Sequence, residues 1–148
     1  MAAPCWADFE LGVDRVNCLQ MTGMSIFSSK GKLNAAKAKL KQMSLPQIKN
    51  EIELFLCGHL DLIDLIIDEL EKLFVAMIRV RGVSFRGTSI LIAYDAAALP
   101  SSRFRVQVKL LSFTNAKLSK DPCIYTLSGV LTLIEMIRSI GSDLPDEF

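Results

Sequence analysis

The sequence predicts an α+β domain of antiparallel strands packed with helices, and three stretches carry that expectation. In residues 103–110, Phe104, Val106, Val108 and Leu110 alternate with Arg103, Arg105, Gln107 and Lys109, the period of two of a half-buried strand. Residues 85–94 form a second strand, in which Ile90-Leu91-Ile92 predicts burial on both faces. The connection over residues 95–102 is too short for a crossover helix, so the two strands make an antiparallel hairpin. Between 47 and 80 the period changes to that of a helix. Leu62, Ile66, Leu70, Leu73 and Met77 recur at steps of four and three, and Ile63, Ile67, Phe74 and Ile78 widen the stripe.

The other elements follow in chain order. Residues 19–27 mix apolar residues with Thr22, Gly23 and Ser25, a strand closed by Ser28-Ser29-Lys30-Gly31. Residues 33–43 are rich in Ala and Lys and predict a short helix. Pro46 suits the first turn of the next helix, with Ser44 as its cap, and Cys57-Gly58-His59 interrupts the helical pattern. Asp61, Asp64, Asp68 and Glu71 mark the wet face opposite the apolar stripe, and Arg81-Gly82 ends the helix. Residues 127–140 form a last amphipathic helix with Leu131, Ile134, Ile137 and Ile140 toward the core. Gly141-Ser142-Asp143 stops it, and the acidic tail to Phe148 frays. There is no internal repeat, low-complexity segment or linker, so residues 1–148 are expected to be one domain.

Composition narrows the class. With 148 residues, 51% hydrophobic and 22% charged, the chain suits one globular domain that buries about two-thirds of its unfolded surface. A net charge of +1 gives no global case for a nucleic-acid partner, and aromatics are too sparse among the basic residues to form a stacking platform. The charge is nevertheless segregated. Residues 15–50 hold seven Lys or Arg and no acid, including Lys37, Lys39 and Lys41; residues 51–71 hold seven acids and no Lys or Arg. A solvated basic face beside a solvated acidic helix explains this, and the competing reading is a non-catalytic module that binds polyanions or proteins through 15–50. Cys5, Cys18, Cys57 and Cys123 form no Cys-x-x-Cys pair, which fits reduced thiols in a cytoplasmic or nuclear protein. No signal peptide is evident. The apolar stretch 54–80 carries Asp61, Asp64, Asp68, Glu69 and Glu71, and acids at mid-span cost about 2.5–3.5 kcal/mol each on insertion scales, so no membrane span is expected there.

Three motifs carry the chemistry. The first is Pro4-Cys5-Trp6-Ala7-Asp8-Phe9-Glu10-Leu11-Gly12, the second Gly87-Thr88-Ser89-Ile90-Leu91-Ile92-Ala93-Tyr94-Asp95, and the third Leu111-Ser112-Phe113-Thr114-Asn115. Their order and spacing resemble the C-terminal part of the inositol polyphosphate kinase family, most closely its inositol hexakisphosphate kinase branch. That family carries Pro-x-x-x-Asp-x-Lys-x-Gly, then Ser-Ser-Leu-Leu-x-x-Tyr-Asp, then Ile-Asp-Phe-Ala-His. Thr22-Gly23-Met24 is similar to its Cys-Gly-Met, and Asp121, Gly129 and Leu133-Ile134 fit its closing Gly-Leu-x-x-Leu-Ile helix with a two-residue insertion. The likeness spans nearly the whole chain.

The resemblance implies the C-terminal lobe of an inositol polyphosphate kinase-like fold, without the N-terminal lobe that clamps ATP. It implies ATP-dependent phosphorylation of inositol phosphates with Mg. Asp8 then stands at the family aspartate, Glu10 at the phosphate-contacting lysine, and Ser89 at the second serine of the strand motif. Ser112 stands at the metal-binding aspartate, and Asn115 where the family usually has histidine. Phosphoryl transfer relies on electrostatic stabilisation of developing charge. A serine hydroxyl is a weaker magnesium ligand than a carboxylate, and Glu10 inverts a charge that should attract phosphate. These two replacements predict little or no activity. His59 is the only histidine and reads as structural, and Gly82 and Gly87 are isolated rather than part of a phosphate-cradling loop.

Overall fold

The computed structural model describes residues 5–12, 19–28, 31–35, 44–56, 59–80, 83–84, 88–95, 105–111, 117–118 and 124–142. The chain order is β1 (Cys5–Leu11), β2 (Leu19–Ser28), β3 (Gly31–Ala35), α1 (Leu45–Leu56), α2 (Leu62–Arg79), β4 (Val83–Ser84), β5 (Ser89–Tyr94), β6 (Val106–Leu111), β7 (Lys117–Leu118) and α3 (Ile124–Ser142). Five strands form one sheet in the order β3-β2-β1-β5-β6, and β4 pairs with β7 in a separate two-stranded bridge. Each neighbouring pair in the large sheet is antiparallel, including the expected β5–β6 hairpin. The α+β expectation holds, and the sheet is wider than a single hairpin.

β1 lies at the centre of that sheet and comes from the first motif, whose strand character the sequence reading overlooked. Its burial alternates strictly: Cys5, Ala7, Phe9 and Leu11 are buried, while Trp6, Asp8 and Glu10 are more accessible. The buried set joins Met21, Met24, Ile90, Ile92 and Tyr94 in one core under the helices. β5 alternates too, with Ile90 and Ile92 buried and Leu91 half-buried. Burial on both faces was expected at Leu91; instead Leu91 is half-buried, on the face opposite Ile90 and Ile92.

Residues 33–35 were expected to open a helix. They belong to β3, where Leu33 pairs with Ile26 and Asn34 with Ser25, because a waiting edge on β2 outweighs modest helix propensity. Residues 36–43 lie outside the described residues. At the start of α1, Ser44 and Gln47 form one half of a capping box: the Ser44 amide donates to Gln47 Oε1 at 2.8 Å, and the Ser44 carbonyl accepts from the Ile48 amide at 2.9 Å.

α2 buries Leu62, Ile63, Ile66, Ile67, Leu70 and Met77 as its stripe requires, and the acids of the wet face are exposed. Leu73 and Phe74 are only half-buried and Ile78 is exposed, so the core side of the stripe narrows toward the helix end. α3 is the one helix among the described residues that is long and apolar enough to cross a bilayer. In this fold it is a core helix, with Val130, Leu133, Ile134 and Ile137 buried against α2 and the sheet. Leu131, expected in the core, is 44% exposed, because the buried arc runs through Val130 and Leu133 instead. Arg105 departs from the strand alternation in the other direction. It is 8% exposed, and its guanidinium meets Asp61 at 2.6 Å, tying the start of β6 to the turn before α2.

Candidate functional site on the open face of the sheet

The strand register gathers the motif residues on the face of the sheet away from the helices. One row across four strands reads Gln20, Glu10, Ser89 and Leu111; the next reads Gly23, Asp8, Leu91 and Lys109; the third reads Ser25, Trp6, Ala93 and Gln107. Residues directly opposite in antiparallel strands carry Cβ atoms about 4.5–5.5 Å apart and present side chains to the same face. Asp8, Glu10 and Ser89 therefore converge, with Glu10 and Ser89 immediate cross-strand neighbours. All three are half-buried. Ser112 follows Leu111, and both Ser112 and Asn115 lie outside the described residues, as do Lys37, Lys39 and Lys41.

Local structure explains the shape of this face. A bulge falls between Asp8 and Phe9, so that Gly23 opposes Asp8 and Met21 opposes Phe9. The residue left over is Thr22, whose hydroxyl donates to the Asp8 carbonyl at 3.2 Å. Trp6 lies over Gly23: a β-carbon there would sit 3.0–3.2 Å from the indole ring. The strand motif ends in a bracket rather than a ligand. Tyr94 is buried, donates its hydroxyl to the Phe55 carbonyl at 2.5 Å, and meets the Phe55 ring edge-on at a centroid distance of 5.0 Å. His59 is half-buried with its ring 5.8 Å from that of Tyr94, in keeping with a structural role.

Gly12, the last residue of the first motif, has φ of 63°, a conformation that costs other residues roughly 1–2 kcal/mol. A β-carbon there would also lie 2.7 Å from the amide nitrogen and 2.8 Å from Cα of Thr126 in the first turn of α3. The motif glycine thus lets the end of β1 touch the start of the last helix. Sequence reasoning missed this role and that of Trp6. The alternation of Cys5, Ala7, Phe9 and Leu11 was the signal that could have placed the motif on a central strand.

The charge of the face bears on what it can hold. Asp8 and Glu10 supply two carboxylates and Lys109 one ammonium. Among the described residues, no group of three His, Cys, Asp or Glu side chains is placed to hold a metal ion. The described donors do not make a magnesium–nucleotide site, and no catalytic step through either group follows from them. Surface hollows of about 440 Å³ lie along α2, and none of the three rows lines them.

The inositol polyphosphate kinase family model matches residues 13–138. The match starts just past Gly12, so the likeness at Asp8 and Glu10 rests on the motif itself. No curated protein matches the sequence. Among solved structures, the inositol phosphate multikinase Ipk2 of S. cerevisiae, in complex with ADP and Mn2+, superposes with a TM-score of 0.77 at 14% identity, over 93% of this chain and 78% of that one. An inositol phosphate multikinase studied by protein engineering gives a TM-score of 0.73 at 16% identity, over 93% and 79%. At such identities the superpositions speak for the fold, while the family model spans most of the sequence. This chain belongs to the inositol polyphosphate kinase family.

Proposed function

We propose that the chain is an inositol hexakisphosphate kinase-like member of its family, corresponding to the C-terminal lobe, whose phosphotransfer activity is strongly impaired. Membership and fold support the inositol phosphate kinase reading, and the yeast relative's ADP and Mn2+ support a nucleotide and a divalent metal as its cofactors. The order and spacing of the three motifs, which most resemble the hexakisphosphate branch, support that finer reading. A cytoplasmic or nuclear location belongs to the same reading and fits four cysteines with no Cys-x-x-Cys pair.

One observation carries the impairment. Glu10 stands on the open face opposite Ser89 and two residues from Asp8 on the same side of β1, so two carboxylates occupy ground where the family pattern has one acid and one lysine. A carboxylate about 4 Å from a phosphate repels it by about 1 kcal/mol in water, and by several times more in a partly buried site. Ser112 adds a second loss. Removing one electrostatic stabiliser from such a transition state typically costs about 100- to 1,000-fold in rate. Radiolabelled phosphate transfer to inositol hexakisphosphate in the presence of magnesium should therefore be undetectable with the purified chain. Transfer by the unmodified chain that disappears in Asp8→Asn would show a working enzyme and overturn the impairment.

A further inference from the structure

The approach to α1 carries a second inference, independent of the sheet face. Ser44, Leu45, Pro46 and Gln47 are exposed in succession, and Leu45 leaves 44% of its surface in water, although the next apolar residue, Ile48, is buried. The Ser44 hydroxyl donates to Gln47 Oε1 at 3.3 Å, a long bond at an exposed position. The turn is closed by the Ser44 amide on Gln47 Oε1 and by the Ile48 amide on the Ser44 carbonyl. Peeling Leu45 to Gln47 off the helix therefore breaks few bonds, and those in contact with water.

The sequence before this turn is one-sided in charge. Lys41, Lys39 and Lys37 stand three, five and seven residues ahead of Ser44, and residues 15–50 hold no acid. Ser142 is the contrast. It is exposed too, but it ends α3 with its hydroxyl on the Arg138 carbonyl at 3.3 Å, and Asp143 follows it. An exposed hydroxyl with cations on its amino-terminal side and an exposed leucine directly after it complements a protein kinase whose peptide groove is acidic.

We propose that Ser44 is a phosphoacceptor for a lysine-directed serine kinase, which reads Lys41 and Lys39 by charge and Leu45 by an apolar pocket, and that the phosphate then caps α1. Ser44 Oγ bonds to the γ-phosphorus of ATP, the bond from that phosphorus to the β–γ bridging oxygen breaks, ADP leaves, and the hydroxyl proton passes through the kinase's base to solvent. α1 has no acid in its first turn, so a group of about −1.5 to −2 charge meets the open amides there without a competing carboxylate.

Incubating the full chain with the catalytic fragment of protein kinase C, magnesium and radiolabelled ATP tests this, with the site read by mass spectrometry of peptides. Ser44 should take up phosphate, and Ser44→Ala should abolish the labelling of that peptide. The alanine variant keeps the amide bond to Gln47 and the helix start with it. Lys39→Gln combined with Lys41→Gln should slow incorporation about tenfold, while Lys72→Gln on α2 leaves the rate unchanged. The phosphorylated chain should unfold at a higher denaturant concentration than the unmodified one. No label on Ser44, total labelling that Ser44→Ala leaves undiminished, or equal rates in the two sets of lysine variants would overturn the proposal. So would a phosphorylated chain that unfolds at lower denaturant.

Discussion

The two faces of β1 belong to the same seven residues and have different fates. Toward the helices, Ala7, Phe9 and Leu11 are fully buried and continuous with Met21, Ile90 and Tyr94. On the other side, Asp8 and Glu10 are half-buried, in rows that also hold Gln20, Ser89 and Lys109. The buried face can change only by creating cavities or strain, so its residues fit the family architecture. On the proposed reading, Glu10 on the open face changes the chemistry while leaving the fold intact.

That contrast can be broken at successive positions. Phe9→Ala should be the most damaging substitution on the strand, costing about 3–5 kcal/mol through lost burial and a cavity, read as a fall in the denaturant midpoint. Gly12→Ala joins unfavourable backbone geometry to a close approach to Thr126, and should cost about 1–3 kcal/mol by the same measurement. Tyr94→Phe removes one buried hydrogen bond to Phe55 and should cost about 0.5–1.5 kcal/mol. Glu10→Gln, one residue from Phe9 but on the other face, should change stability by no more than about 0.5 kcal/mol. The same substitution should relieve on the order of 1 kcal/mol of repulsion toward phosphate, seen as tighter binding of inositol hexakisphosphate by calorimetry. If Glu10→Gln destabilises the chain as much as Phe9→Ala, the two faces are not independent.

What the sequence made legible follows the same division. The β5–β6 hairpin and the buried stripe of α2 were readable because strict periods of two and of three to four leave few alternatives. The motif order pointed to the family and to Asp8, Glu10 and Ser89, and the register then set those three on one face. The misses depended on partners distant in sequence. Residues 33–35 looked helical until β2 offered an edge, and Arg105 looked solvent-facing until Asp61 supplied a countercharge. β1 was hidden because its residues were read as chemistry before they were read as alternation.

The contact between Gly12 and Thr126 has a consequence for how the molecule is made. It joins Gly12 to Thr126, far along the chain in the first turn of α3, so the end of the motif strand cannot reach its final setting until α3 has left the ribosome. Closing so long a loop is entropically expensive, and folds dominated by such distant pairings form slowly. Nascent chains halted before residue 124 should therefore hold a sheet whose motif end stays open to proteases, and release of the completed chain should close it.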